Sequence, residues 1–170
     1  MRKLAAAALL VFAVLGIAAQ SASADVTNPS YQTINYGPRK EFKCITPPSN
    51  GVFRQFGAWG DFIDGCTVQL SCPRTSVRCT AWMSTTISAY GNPAVPVTQN
   101  GRIRRLDANQ RVVGFKDRSC SGTSVCQNIT SLKIPGGQYG SVQCNGVRAH
   151  VAGAPRASNT CSIRMDYEES

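Results

Sequence analysis

Eight cysteines constrain this 170-residue chain more than any other feature. Three of them fall within fourteen residues, between Cys66 and Cys79, in a stretch that alternates like two strands around a proline turn. An even number of cysteines in an oxidising compartment predicts disulfides, here four. A metal site has little support, because no Cys-x-x-Cys pair occurs and His150 is the only histidine. The cysteines are Cys44, Cys66, Cys72, Cys79, Cys120, Cys126, Cys144 and Cys161.

Eight cysteines allow 105 pairings, so the sequence alone does not determine the connectivity. Spacing nevertheless favours one local bridge. Cys120 and Cys126 are six residues apart, and Gly122 between them permits a tight loop. We therefore predict a Cys120–Cys126 disulfide.

A turn near Thr75 would place Cys72 opposite Cys79, so that a disulfide between them would close a hairpin. In the chain-entropy model a bridge this local contributes roughly 2.4 kcal/mol, and a loop of ~100 residues, such as Cys44–Cys161, contributes roughly 5 kcal/mol. Long-range bridges are therefore expected to matter most to stability, whereas local ones set loop shape.

The first 24 residues have the layout of a secretory signal peptide. Arg2 and Lys3 precede an almost wholly apolar run, Leu4–Ala19, and small residues lead to Ala24. The apolar run is shorter than the ~20 residues that a membrane-spanning helix needs. We predict cleavage after residue 24, a secreted, extracellular protein and no membrane span in the mature chain.

Removing 24 of the 170 residues takes away two of the 18 basic residues and none of the nine acidic ones. The remaining chain stays basic and has the length of one domain. Its first part, residues 25–40, is polar and contains two prolines, which predicts an N-terminal arm. Residues 41–170 are predicted to form a single disulfide-stabilised β domain.

The pattern after Cys66 is that of β-strands. Val77–Tyr90, rich in β-branched and aromatic residues, is the longest strand candidate, and no helical period is sustained anywhere after residue 24. Asn100-Gly101 and Asn145-Gly146 each lie between strand-like runs and predict hairpin turns. Pro96 predicts that its strand lies at a sheet edge. The expected fold is all-β: an antiparallel β-sandwich or barrel of about eight short strands cross-linked by disulfides.

An aromatic-rich stretch precedes Cys66. It contains Phe53, Phe56, Trp59 and Phe62, which with Trp82 would form either a sugar-stacking surface or, more commonly for a small β domain, part of the core. Asp61 and Asp64 lie beside these aromatics, where paired carboxylates could bind a sugar or a cation or hydrolyse a glycoside. Turn formation is the simpler explanation of both aspartates. Trp59 and Asp61 are kept as candidate binding residues.

Six basic residues concentrate between positions 102 and 118, on two strands expected to pair. An anion-binding face of this kind would suit an anionic polysaccharide, a cell-wall polymer or an acidic protein. Nucleic acid is a weaker candidate, because Phe115 is the only aromatic residue among them. The alternative is a solvated basic face. The candidate binding residues are Arg102, Arg104, Arg105, Arg111, Lys116 and Arg118.

His150 is the only side chain with an ordinary pKa near neutrality. It alternates with apolar neighbours on a predicted strand, which favours a solvent-facing position, and no Gly-x-Ser-x-Gly motif accompanies it. The leading expectation is therefore a secreted binding module without a cofactor, including an inhibitor or toxin-like effector. A small secreted hydrolase using His150 with a carboxylate is the alternative, and a structural coat component is the third.

Overall fold

In a computed structural model, the described residues are 30–36, 39–49, 52–53, 60–63, 65–90, 94–149 and 156–168, and their regular structure is entirely β. The strands are β1 Ser30–Tyr36, β2 Arg39–Ser49, β3 Val52–Phe53, β4 Gly60–Ile63, β5 Thr67–Ser71, β6 Arg78–Tyr90, β7 Pro96–Leu106, β8 Val112–Thr123, β9 Val125–Pro135, β10 Tyr139–Ala149 and β11 Arg156–Glu168. None of the described residues belongs to a helix that could cross a membrane.

The strands form two antiparallel sheets. Sheet A has the order β1-β2-β11-β6-β9, and sheet B has the order β3-β4-β10-β7-β8. Strand β5 also pairs with β10, on the same edge as β4, so β4 and β5 act as one interrupted strand. The predicted antiparallel β-sandwich is thus confirmed. The described residues form eleven strands, more than the expected eight or so, because β3, β4 and β5, of two to five residues, add to the count. Seven of the strands have 11 to 13 residues and are longer than expected.

Strict alternation of buried and outward side chains defines the layers. In β6 the buried positions include Ala81, Met83 and Ile87, all facing sheet B. Trp82 lies between two of them and therefore projects outward, where the Arg164 guanidinium lies 5.4 Å from its ring centroid. The strand prediction for residues 77–90 is confirmed, and the assignment of Trp82 to the core is wrong.

The space between the sheets holds two apolar clusters with a polar layer between them. The larger cluster contains Met83, Ile163 and Met165 together with most of the cysteines, and the smaller one contains Ile87, Val97, Cys126 and Ala157. In the layer between them Gln99 donates to the Asn159 side chain at 2.5 Å and is itself fully buried. This amide contact links β7 to β11, so polar groups as well as apolar packing join the two sheets.

Both Asn-Gly dipeptides lie inside strands, so the two predicted hairpin turns are wrong. Asn100-Gly101 belongs to β7 and Asn145-Gly146 belongs to β10. The glycines face sheet A at close range: a Cβ would lie 2.9 Å from Thr85 Oγ1 at Gly101 and 2.6 Å from Ile87 Cδ1 at Gly146. Glycine is needed at both positions because the two sheets approach each other closely there. In the sequence, an asparagine followed by such a glycine looks the same as a hairpin turn.

Pro96 does not mark an edge strand, because β7 lies between β10 and β8. It is the first residue of β7, where a missing N–H is tolerated. The turn expected after β7 is present: the Asp107 side chain accepts hydrogen bonds from the N–H groups of Asn109 and Arg111, both at 2.9 Å. The chain therefore turns after Leu106 and not at the Asn-Gly dipeptides.

All eight cysteines are paired; the predicted Cys120–Cys126 bridge is confirmed, and the bridge considered between Cys72 and Cys79 is present. Cys120–Cys126 and Cys72–Cys79 have Cα–Cα distances of 5.9 and 5.8 Å. The expected hairpin around Thr75 is wrong, however, because β5 belongs to sheet B and β6 to sheet A. The Cys72–Cys79 bridge therefore closes a crossover between the sheets.

The remaining disulfides are Cys44–Cys66 and Cys144–Cys161, with Cα–Cα distances of 6.4 and 5.8 Å. Cys44 and Cys161 are cross-strand neighbours in sheet A, and each bonds to sheet B rather than to the other. On the opposite side, the Cys144 N–H donates to the Cys66 carbonyl at 3.2 Å. Two adjacent disulfides thus join the sheets, and no bridge closes a loop of ~100 residues.

Residues 30–36 of the expected N-terminal arm form β1, which pairs with β2 along its whole length. The Tyr31 and Phe42 rings stack across these strands with centroids 5.7 Å apart.

Gly65 separates β4 from β5, and a Cβ there would overlap the backbone oxygen of Cys144. We predict that Gly65→Ala lowers the free energy of unfolding in urea by about 3 kcal/mol, since backbone must move to relieve the overlap. Gly114→Ala is the control, because its Cβ would have no neighbour closer than 3.5 Å. Equal stability of the two variants would contradict the close approach at Gly65.

The disulfides should differ in their contribution to stability. The double variant Cys144→Ser/Cys161→Ser removes a disulfide in the core whose two cysteines are 17 residues apart in sequence. The double variant Cys120→Ser/Cys126→Ser removes one nearer the surface whose cysteines are six residues apart. Chain entropy alone predicts losses of about 3 and about 2 kcal/mol, and the buried pair should lose more through impaired packing. Urea denaturation under non-reducing conditions measures both, and a larger loss for the Cys120 pair would refute this order.

Candidate functional site

A cleft of about 460 Å³ opens on the face of sheet B that points away from sheet A. We call it the outer cleft. It crosses β8, β7 and β10, the last three strands of the sheet. Its lining residues are Asn100, Gly101, Arg102, Asp117, Arg118, Ser119, Gln143, Cys144 and Asn145.

The register of the strands arranges the cleft in two rows. One row is Asn145, Asn100 and Ser119, which are cross-strand partners on β10, β7 and β8. The next row, two residues along each strand, is Gln143, Arg102 and Asp117. Side chains in one row are about 5 Å apart, and the rows are about 7 Å apart. A single ligand could therefore contact any polar group of this array together with one of its neighbours.

The ion pair of Arg102 and Asp117 is the best-defined contact of the cleft. Arg102 Nε and Nη2 donate to Asp117 Oδ1 and Oδ2 at 2.6 and 2.8 Å. The Arg102 guanidinium also lies 4.8 Å from the centroid of the Phe115 ring. The hydrogen bond from Arg102 lowers the pKa of Asp117, and the same bond raises the pKa of Arg102. Both groups stay charged at neutral pH, and the guanidinium has a defined plane.

Two further arginines adjoin this pair. Arg104 donates through Nη2 to Gln143 Oε1, which orients the carboxamide at the cleft wall. Arg118 borders the cleft and donates from Nη1 to the Asp117 carbonyl at 3.1 Å. It pairs with Gly101 and alternates with Asp117 and Ser119, so its side chain starts from the other face of the sheet, as that of Lys116 does. The cleft thus presents guanidinium, carboxamide and hydroxyl groups around one carboxylate.

The other predicted basic residues lie elsewhere. Lys116 alternates with the cleft residues of β8 and donates to the Ser131 carbonyl of β9 at 2.7 Å. Arg105 covers Gly114 and donates to the Val113 carbonyl at 3.3 Å. Arg111 belongs to the turn after β7 and is exposed. The six basic residues therefore do not share one face, because neighbours in a strand point to opposite sides.

Two of the remaining predicted site residues, Trp59 and His150, lie outside the described residues. Asp61 belongs to β4, where its backbone pairs with Arg148. Their proposed roles stay predictions. Among the described residues, no group of three His, Cys, Asp or Glu side chains could hold a metal ion.

Sequence reasoning missed four polar residues of the cleft: Asn100, Ser119, Gln143 and Asn145. The two asparagines were assigned to turns, and Ser119 and Gln143 are unremarkable in sequence. A weak signal was available: polar residues at alternate positions 100, 102 and 104 flank buried ones, which is typical of a strand with a solvated face.

The comparisons with known proteins assign no family. No family model matches the chain, and no curated protein matches its sequence. The structure of infectious bursal disease virus Gx strain has a TM-score of 0.40 and 12% identity, over 84% of this chain and 34% of the viral one. The enzymatically active domain of bacteriophage CBA120 tailspike protein 4 has a TM-score of 0.34 and 12% identity, over 82% and 18% of the chains.

An arabinose-bound α-L-arabinofuranosidase has a TM-score of 0.27 and 11% identity, over 84% of this chain and 22% of the enzyme. This chain thus spans about a third, or less, of the length of these three proteins. Similarity at this level carries no argument about function.

Titration tests the ion pair. Because Arg102 lowers the pKa of Asp117 in the fold, the pair stabilises the protein above the ordinary carboxyl pKa, and this stabilisation is lost as the pH falls through the lowered value. We predict that Arg102→Gln raises the pKa of Asp117 in an NMR titration. Glu168, whose pKa is lowered by Lys133, is the control and should not move. An unchanged Asp117 pKa would show that the ion pair is absent in solution.

Proposed function

We propose that this chain is an exported binding domain that recognises an anionic polymer through the outer face of sheet B. The observation that carries the proposal is the outer cleft, in which Arg102 accompanies a single carboxylate, Asp117. Arg104 lies next to the cleft, on the same face of β7 as Arg102. This face has a net positive charge, in a chain whose formal net charge is +9.

The form of the cleft supports binding. Its volume lies within the roughly 300–1,000 Å³ of small-molecule sites. It is formed by three adjacent strands rather than by loops, and Arg102 is oriented in advance by Asp117 and Phe115. The side chains that would contact a ligand are therefore already ordered, so binding loses less conformational entropy.

Binding is favoured over hydrolysis at this site. Asp117 is the only carboxylate among the lining residues of the cleft, and its lowered pKa makes it a weak general base. Ser119 also lines the cleft, and none of the other lining residues is a histidine. The alternative, a hydrolase using His150 with a carboxylate, is tested by replacing His150 with Ala in any activity assay.

Export is part of the proposal. The four disulfides would persist in an oxidising compartment. The apolar segment within residues 1–24 and the small residues before Ala24 support secretion.

Retention on immobilised heparin is the first test of anion binding. We expect retention at low salt that falls steeply toward physiological ionic strength, because exposed charge pairs are screened over about 8–10 Å. The double variant Arg102→Gln/Arg104→Gln should weaken binding at least about tenfold, which corresponds to ~1.4 kcal/mol.

The matched control is Arg78→Gln/Lys133→Gln, which removes the same charge from exposed positions of sheet A. It should retain binding close to that of the unaltered protein. Absence of retention at low salt, or equal losses in both double variants, would refute recognition through the outer face of sheet B.

A further inference from the structure

The outer cleft contains more carboxamides than charge recognition requires. Asn100 and Asn145 are direct cross-strand partners, and Gln143 lies in the next row. Each carboxamide carries both an acceptor oxygen and a donor NH₂ group. Gln143 Oε1 already accepts from Arg104, so its NH₂ is the group left for a ligand.

These groups discriminate between kinds of anion. A sulfate, phosphate or carboxylate oxygen only accepts hydrogen bonds, so it cannot satisfy the side-chain oxygens of Asn100 and Asn145. A desolvated acceptor left without a donor costs about 1–3 kcal/mol. Hydroxyl groups both donate and accept, and vicinal hydroxyls match neighbouring carboxamides. The cleft is therefore suited to a ligand rich in hydroxyl groups.

The charge of the cleft limits how anionic that ligand is. Arg102 and Arg104, on the same face of β7, together carry two positive charges, and Asp117 removes one. Arg102 Nε and Nη2 are both directed to Asp117, which leaves Nη1 as its remaining donor group. The site thus balances about one negative charge, as a sugar with a single carboxylate would supply, rather than a dense array of sulfates or phosphates.

We propose that the outer cleft binds a uronic-acid polysaccharide. The carboxylate of one uronate is held by Arg102 Nη1 and by Arg104, which lies on the same face of β7. The hydroxyl groups of the uronate bond to Asn100, Asn145 and Asp117. This inference rests on the proposed function and narrows its ligand to one chemical class. An acidic protein and a sulfated polymer are outcomes of the test.

The test measures affinity by calorimetry for four polymers: polygalacturonate, poly-L-glutamate, dextran sulfate and neutral dextran. Polygalacturonate carries both carboxylates and hydroxyls, and poly-L-glutamate carries carboxylates without hydroxyls. We expect polygalacturonate to bind at least about tenfold more tightly than each of the others at physiological salt.

Two variants test the carboxamide at position 145. Asn145→Leu removes its hydrogen bonds, and Asn145→Asp keeps its shape while adding a negative charge. Each should weaken polygalacturonate binding about tenfold or more. Gln127→Leu, on an exposed position of sheet A, is the control and should leave binding unchanged. Thermal unfolding confirms that each variant is folded.

The outcomes separate this inference from the proposed function. Equal binding of poly-L-glutamate or dextran sulfate, unaffected by Asn145→Leu, would overturn uronate recognition but retain anion binding. Failure to bind any of the three anionic polymers would overturn both. Equal binding of neutral dextran would show that Arg102 and Arg104 do not hold the carboxylate, and would overturn uronate recognition.

Discussion

The two adjacent disulfides between the sheets, Cys44–Cys66 and Cys144–Cys161, are the constraint on which the rest of the structure depends. They require that Cys44, Cys144 and Cys161 all face the interior, where these three are buried. A shift of one residue in the register of β10 would turn Cys144 to solvent and break the bridge. The disulfides therefore define not only which sheets pack together but which side chains of β10 face outward.

The outer cleft is the opposite surface of the same strands. Because Cys144 and Gly101 face sheet A, their neighbours Gln143, Asn145 and Arg102 face solvent. The buried residues of β7 and β10 thereby determine where the candidate ligand-binding side chains lie, although the buried residues themselves would not contact a ligand. This coupling is specific to a β-sheet, in which a buried residue and an exposed residue alternate along one strand. A substitution that disturbs the packing at Gly101 should also alter the geometry of the cleft.

Sequence reasoning identified the fold class and one of the four disulfides, because both depend on local pattern. Alternation predicted β6, and short spacing predicted Cys120–Cys126. The Cys72–Cys79 bridge was considered only as the closure of a hairpin, whereas it closes a crossover between the sheets. It failed at Asn100-Gly101 and Asn145-Gly146, where glycine serves close sheet packing rather than a turn. A dipeptide reports that a position needs a small residue, and only the surrounding structure shows which requirement applies.

The sequence by itself determined that this protein is a basic, cysteine-paired chain of β-strands, because composition and two-residue periodicity are local properties. The tertiary structure alone decided which residues meet. It separated Arg105 and Lys116 from Arg102 and Arg104, and it brought Asn100 beside Asn145 from 45 residues along the chain. The physical reason is that sheet order and register arise from long-range pairing, which the disulfides and the packing of the two sheets select together.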